Sequence, residues 1–185
     1  MSRRNANPEL ENRSLHSITS VAEFLIIYGG YEKSTGSECN DLWSYNRISD
    51  IWKRYQTPIE IKDTSLSSSI CSVGNLVYIF GGDGFDDHDY RQTNSLVSFN
   101  LKNSNWEILY PHTDDYDEQR PPPMCGNLLF HHNGSLYVLG GLHGSMNLDT
   151  MYKFCLKSLT WSLISQNGDK PTFDGQLYGT VCNNK

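Results

Sequence analysis

Three stretches of this chain are apolar at four consecutive positions, and each runs straight into a glycine pair. Leu25-Ile26-Ile27-Tyr28 precedes Gly29-Gly30, Val77-Tyr78-Ile79-Phe80 precedes Gly81-Gly82, and Leu136-Tyr137-Val138-Leu139 precedes Gly140-Gly141. A continuous apolar run this short predicts a strand covered on both faces. Just upstream stand Ala22-Glu23, Gly74-Asn75 and Asn133-Gly134. The last two predict two-residue hairpin turns, because Asn and Gly accept positive φ at little cost. Ala22-Glu23 lacks that chemistry, so the first turn is less well specified.

Downstream the register returns after loops of unequal length. Leu42, Leu96 and Met151 are each followed three residues later by Tyr45, Phe99 and Phe154, and seven residues further by Trp52, Trp106 and Trp161. The tryptophans lie 54 and 55 residues apart, the length of a four-stranded unit with long loops. Each unit therefore reads strand, tight turn, strand, glycine pair, loop, strand, turn, strand. A sheet with two apolar faces cannot hide both alone, and radial stacking against like sheets covers them. The glycine pair suits a crowded strand end, and the aromatic-Trp pair fills the wedge between sheets.

An apolar strand ending in Gly-Gly, then Leu-x-x-aromatic, then Trp seven residues on, resembles the kelch repeat. The resemblance covers residues 13–170 in three copies. It implies an all-β kelch-type β-propeller of about three four-stranded blades plus the start of a fourth. The corresponding division is a polar tail (1–12), repeats at 13–64, 65–119 and 120–170, and the start of a fourth at 171–185. In that last piece Gly175-Gln176-Leu177-Tyr178-Gly179-Thr180-Val181-Cys182 resembles a first strand, with Asn183-Asn184 at the turn. Closed propellers have roughly 4–8 blades, so the expectation is an incomplete propeller, a fragment of a longer protein.

Composition narrows the function. A formal net charge of −6 makes a phosphate backbone a poor partner, so nucleic acid is not expected. The longest apolar run, Phe24 to Tyr28, is too short to span a bilayer. Residues 1–12 lack the apolar core of a secretory signal, which points to the cytoplasm, with the nucleus also open. Cys39, Cys71, Cys125, Cys155 and Cys182 are widely spaced, so neither a disulfide framework nor a zinc site is expected. Cys71 and Cys155 read as small apolar residues packed in strands.

For kelch propellers the resemblance implies a binding surface built from the loops after each glycine pair, here residues 31–40, 83–93 and 142–148. Loops that vary on a constant scaffold suit recognition. The candidate partner-binding residues are Tyr31, Lys33, Asp83, Phe85, His88, Tyr90, Arg91 and His143. The second loop holds four carboxylates near one histidine, but its spacing does not match a calcium loop, and no metal or other cofactor is expected. His131 and His132 are adjacent in a strand and point to opposite faces, so they cannot share a metal. The residues at 114–118 and 120–123 read as a charged, stiffened link between the second and third repeats.

No phosphate loop, nucleophile elbow or zinc helix occurs, so the reading is a protein-binding module and not an enzyme. The kelch-containing alternative with chemistry, a galactose-oxidase-like copper enzyme, needs Tyr and His ligands around the axis, and no such set stands at matching positions. The segments Asn40-Asp41-Leu42-Trp43-Ser44-Tyr45 and Asn133 to Gly141 resemble kelch proteins that act as substrate receptors of cullin-RING ubiquitin ligases and capture C-terminal degrons. That resemblance implies a degron-bearing substrate and, in the full-length protein, a cullin-RING adaptor; a degron carboxylate would need a cation, for which Arg91 and Lys33 are the candidates. A cytoskeletal or signalling scaffold would use the same loops.

Overall fold

The computed structural model describes residues 10–86, 89–170, 172–173 and 175–179. In chain order the strands are β1 (Arg13–Ser14), β2 (Ser17–Val21), β3 (Phe24–Tyr28), β4 (Tyr31–Glu32), β5 (Ser37–Glu38), β6 (Asp41–Asn46) and β7 (Ile51–Gln56). There follow β8 (Ser69–Val73), β9 (Leu76–Phe80), β10 (Asp83–Asp86), β11 (Asp89–Gln92), β12 (Leu96–Asn100) and β13 (Asn105–Tyr110). The last four are β14 (Leu128–His132), β15 (Ser135–His143), β16 (Met146–Cys155) and β17 (Thr160–Ile164). They build three antiparallel four-stranded blades, β2-β3-β6-β7, β8-β9-β12-β13 and β14-β15-β16-β17. The innermost strands β2, β8 and β14 lie side by side. The described residues are all-β apart from one short 3₁₀ turn, Ile59–Thr64.

The four-residue apolar runs do what their pattern predicts. In the middle blade, Val77, Ile79, Val97 and Phe99 face the first blade's Ile26, Tyr28 and Leu42. The alternate residues Tyr78, Phe80 and Leu96 face the third blade's Leu136, Val138 and Phe154. A strand with period 2 thus feeds two cores at once. Trp106 pairs with Phe99 and reaches back to Tyr28, ring centroids 6.1 Å apart. Trp161 pairs with Phe154 and reaches Phe80 at 5.4 Å. Trp52 lies against Tyr45 at 4.8 Å.

All three units close with a two-residue hairpin, Val21 opposite Phe24, Val73 opposite Leu76 and His132 opposite Ser135. Asn133 and Gly134 both take positive φ (45° and 69°), and Gly74 takes 59°. The first turn forms without favourable chemistry: Ala22 is held at φ 50°, a left-handed conformation that packing of the paired strands imposes.

The glycine pairs carry the next blade's leading segment across them. The Gly30 amide donates to the Ser65 carbonyl at 2.7 Å, and the Gly82 amide to that of Met124 at 2.8 Å. A methyl group at Gly81 would stand 2.5 Å from the Met124 oxygen, at a φ of +63°, so no other residue fits. Next to these crossings a backbone relay joins the blades. The Ser67 amide donates to Leu15 O (3.0 Å), the Gly126 amide to Ser67 O (2.8 Å), and the Leu177 amide to Gly126 O (2.9 Å).

The loops after the glycine pairs are less irregular than expected. Residues 31–40 and 83–93 form the hairpins β4–β5 and β10–β11. Residues 142–148 are no separate loop: β15 and β16 stay paired past a bulge at Leu139/Gly141 as far as His143 opposite Met146. Of the expected fourth unit, residues 172–173 and 175–179 are described and form no strand. The side chains of Phe173 and Leu177 lie against Gly140. The turn placed at Asn183 and Asn184 lies outside the described residues.

Candidate functional site

The three extensions beyond the glycine pairs are stitched to one another and to the segments that lead into the next blades. Glu38, at the end of β5, accepts the Phe85 amide at 2.7 Å through one carboxylate oxygen and the Ser65 hydroxyl at 2.8 Å through the other. Gln92, at the end of β11, donates to Leu142 O at 3.0 Å and accepts the Gly144 amide at 2.7 Å. Backbone bridges Leu66–Asp83 and Cys125–Leu142 complete the seam. His143 holds Pro123 O through Nδ1 at 2.6 Å. The loop end is therefore one continuous, cross-braced surface.

The first extension rests on a buried ion cluster. The side chains of Asp41 and Arg13 are 1% and 2% exposed. Arg13 Nη1 donates to Asp41 Oδ1 at 2.7 Å and to Gly29 O at 3.0 Å. Arg54 Nε (2.6 Å) and Trp43 Nε1 (3.0 Å) donate to the other Asp41 oxygen. Burial by itself lowers the Arg13 pKa, but the hydrogen bond and negative charge of Asp41 raise it beyond its ordinary value.

The predicted contact residues separate into different environments. Phe85 and Tyr90 face each other across β10–β11, are 65% and 49% exposed, and meet edge to face with centroids 5.8 Å apart. Asp83 is not a free contact residue: its Oδ2 accepts the Tyr90 hydroxyl at 2.9 Å, and its buried Oδ1 finds no donor among the described residues. Burial raises the Asp83 pKa, only partly offset by the bonds from Tyr90 and Cys125. Burial, then the charge of Asp83, raises that of Tyr90. Lys33 and Arg91 are exposed, Tyr31 and His143 half-buried, and His88 lies outside the described residues. Asp83, Phe85, Tyr90 and Arg91 share one hairpin, Tyr31 and Lys33 belong to its neighbour, and His143 joins through Gln92. Glu38 and Gln92, which brace the surface, carry no motif that could have singled them out.

Among the described residues no three His, Cys, Asp or Glu side chains are grouped to hold a metal ion, and no helix is long and apolar enough to cross a membrane. Cys39, Cys71, Cys125 and Cys155 are free thiols; Cys182 lies outside the described residues. Burial pushes Cys71 up to about 12, as its packed position predicts. Cys155 is different. It occupies the strand-end position held in the other blades by Asn46 and Asn100, whose Oδ1 atoms accept turn amides at 2.9 Å from Ile48 and from Lys102. Its sulfur receives hydrogen bonds from the Ser158 hydroxyl and from the amides of Ser158 and Lys157, which bring it down to about 7. So Cys155 is a polar turn cap and not a packing residue. Alkylation by iodoacetamide is expected to reach half its maximal rate near pH 7 at Cys155, while Cys71 stays unreactive; an ordinary thiol pH profile would show that the amides do not reach the sulfur. Because the folded value is depressed, this cap's stabilisation is present above the unfolded thiol's pKa and is lost as pH falls through 7.

The description "KLHDC2/KLHL20/DRC7 Kelch-repeats domain" fits residues 15–185. This chain belongs to the kelch-repeat family. Kelch domain-containing protein 10 of Rattus norvegicus is 27% identical over 165 residues, which cover 84% of this chain and 39% of the relative. Kelch domain-containing protein 3 of Mus musculus is 27% identical over 169 residues, 86% of this chain and 42% of the relative. The Leucine-zipper-like transcriptional regulator 1 homolog of Drosophila melanogaster is 26% identical over 165 residues, 86% of this chain and 16% of the relative. The chain thus spans less than half the length of these kelch relatives. Kelch blades in this family point to protein interaction, and the described residues present loops where such an interaction would be made.

Proposed function

We propose that this kelch chain binds a partner protein through its braced loop end, and that the protein it represents is a substrate receptor of a cullin-RING ubiquitin ligase. The observation that carries the first part is the Phe85–Tyr90 pair, two large rings left exposed on a hairpin that Glu38 and Asp83 hold still. Exposed aromatics on a rigid support are the side chains that most often dominate a protein interface. The ligase role rests on the resemblance of residues 40–45 and 133–141 to receptors of that kind, with Lys33 and Arg91 as the exposed cations for a degron carboxylate. The other reading, a cytoskeletal or signalling scaffold, uses the same surface.

Cross-linking mass spectrometry of the tagged protein in cells tests both parts. Partner cross-links are expected to gather on residues 31–40, 83–93 and 142–148, and the partner's half-life to lengthen several-fold when the protein is depleted. Cross-links confined to β7, β13 and β17 would overturn the loop-end reading. Loop-end cross-links to a partner of unchanged half-life would replace the receptor with the scaffold.

A further inference from the structure

Resting on the loop end as the binding surface, we propose that the Phe85–Tyr90 pair is a docking site for an arginine- or lysine-bearing segment of the partner. Three features converge on a cation. The two rings are open to solvent at an interplanar angle of 62°, and the face of an aromatic ring attracts a guanidinium or ammonium group. The described strands of the hairpin carry Asp83 and Asp89, with Glu38 beside them, against Arg91, so a cation approaching the two rings is favoured. The rings are also fixed before any partner arrives. The Tyr90 hydroxyl is held by Asp83, and the Phe85 amide by Glu38 of the neighbouring hairpin. A site ordered in advance loses little conformational freedom on binding. Asp83 and Glu38 are thus positioning residues for the two rings.

The test is selection of a random twelve-residue peptide display library on the immobilised 185-residue chain. Enrichment of Arg- and Lys-containing peptides is expected. Their affinity should fall about 30-fold for Phe85→Ala and for Tyr90→Ala, the size of an interface hot spot. Tyr90→Phe, which keeps the ring but frees it from Asp83, should lose several-fold. Raising the salt from 0.05 to 0.5 M should weaken binding about tenfold or more, as exposed charges are screened. Thermal melts confirm that each variant is folded, since both side chains lie on the surface. Peptides that bind Phe85→Ala and Tyr90→Ala unchanged but fail on Lys33→Ala would overturn the aromatic site and leave the loop end as the binding surface. Acidic peptides selected at the hairpin would overturn its preference for cations. No enrichment at all would overturn the site and the loop-end reading together.

Discussion

Trp161→Ala is expected to destabilise the chain by about 3–5 kcal/mol, the range for deleting a large buried ring. Trp161 is 8% exposed and closes the wedge between the second and third blades, with ring centroids 4.9 Å from Phe154, 5.4 Å from Phe80 and 6.1 Å from Tyr110. No neighbour can swing in to refill the space, because each of these rings is itself held in a strand pair. Trp161→Phe should cost less than half as much. It keeps a ring in the wedge and removes an indole N–H that is buried with no acceptor among the described residues. Urea denaturation followed by circular dichroism reads both values. A loss below about 1 kcal/mol for the alanine variant, far under the usual cost of emptying a packed site, would mean that the wedge is not closed in solution.

Asp41→Asn is expected to cost a similar amount, about 3–5 kcal/mol, since removing one partner leaves a charge uncompensated in a dry site. The amide keeps the shape of the carboxylate and loses its charge, while Arg13 remains 2% exposed with only the partly exposed Glu11 carboxylate beside it. Adding Arg13→Met should restore part of the loss, because a matched apolar side chain removes the stranded charge. The damage should appear first in the β1–β4–β5 sheet, which Arg13 ties to the first blade. Equal stability of the single and double variants would show that Arg13 reaches water once Asp41 is neutral. A change under 1 kcal/mol in Asp41→Asn would place the whole cluster among exposed pairs, which contribute little.

The difference between these two predictions marks how far the sequence could be read. Trp161 was legible because it recurs: a tryptophan at the same place in three units leaves a period, and so do the glycine pairs and the apolar runs, although only Trp106 and Trp161 reach a neighbouring blade. Asp41 was not. It meets Arg13 across 28 residues and Arg54 across 13, and the matching positions in the other blades, Ser95 and Thr150, carry no charge. A partnership made once, between distant residues, leaves no internal echo. The same holds for Glu38 and Gln92, whose partners lie 47 and 50 residues away. The third extension looks like a loop in sequence because the bulge at Leu139/Gly141 interrupts the strand pattern without ending the pairing. Phe85 and Tyr90 were legible as exposed aromatics, since polar neighbours surround them; the bonds that hold them still were not.

The backbone relay through Leu15, Ser67, Gly126 and Leu177 has a consequence for how the chain comes apart. The contacts between blades run mainly through β2 on β8 and β8 on β14, so opening should travel by steps from one joint to the next, in the manner of a zipper with few teeth. The Ser67 and Gly126 amides sit at the joints, outside every strand ladder. Their exchange with deuterium therefore times the parting of whole blades, while the amides within each blade time its melting. A protein built this way can loosen one seam at its loop end and keep every sheet intact.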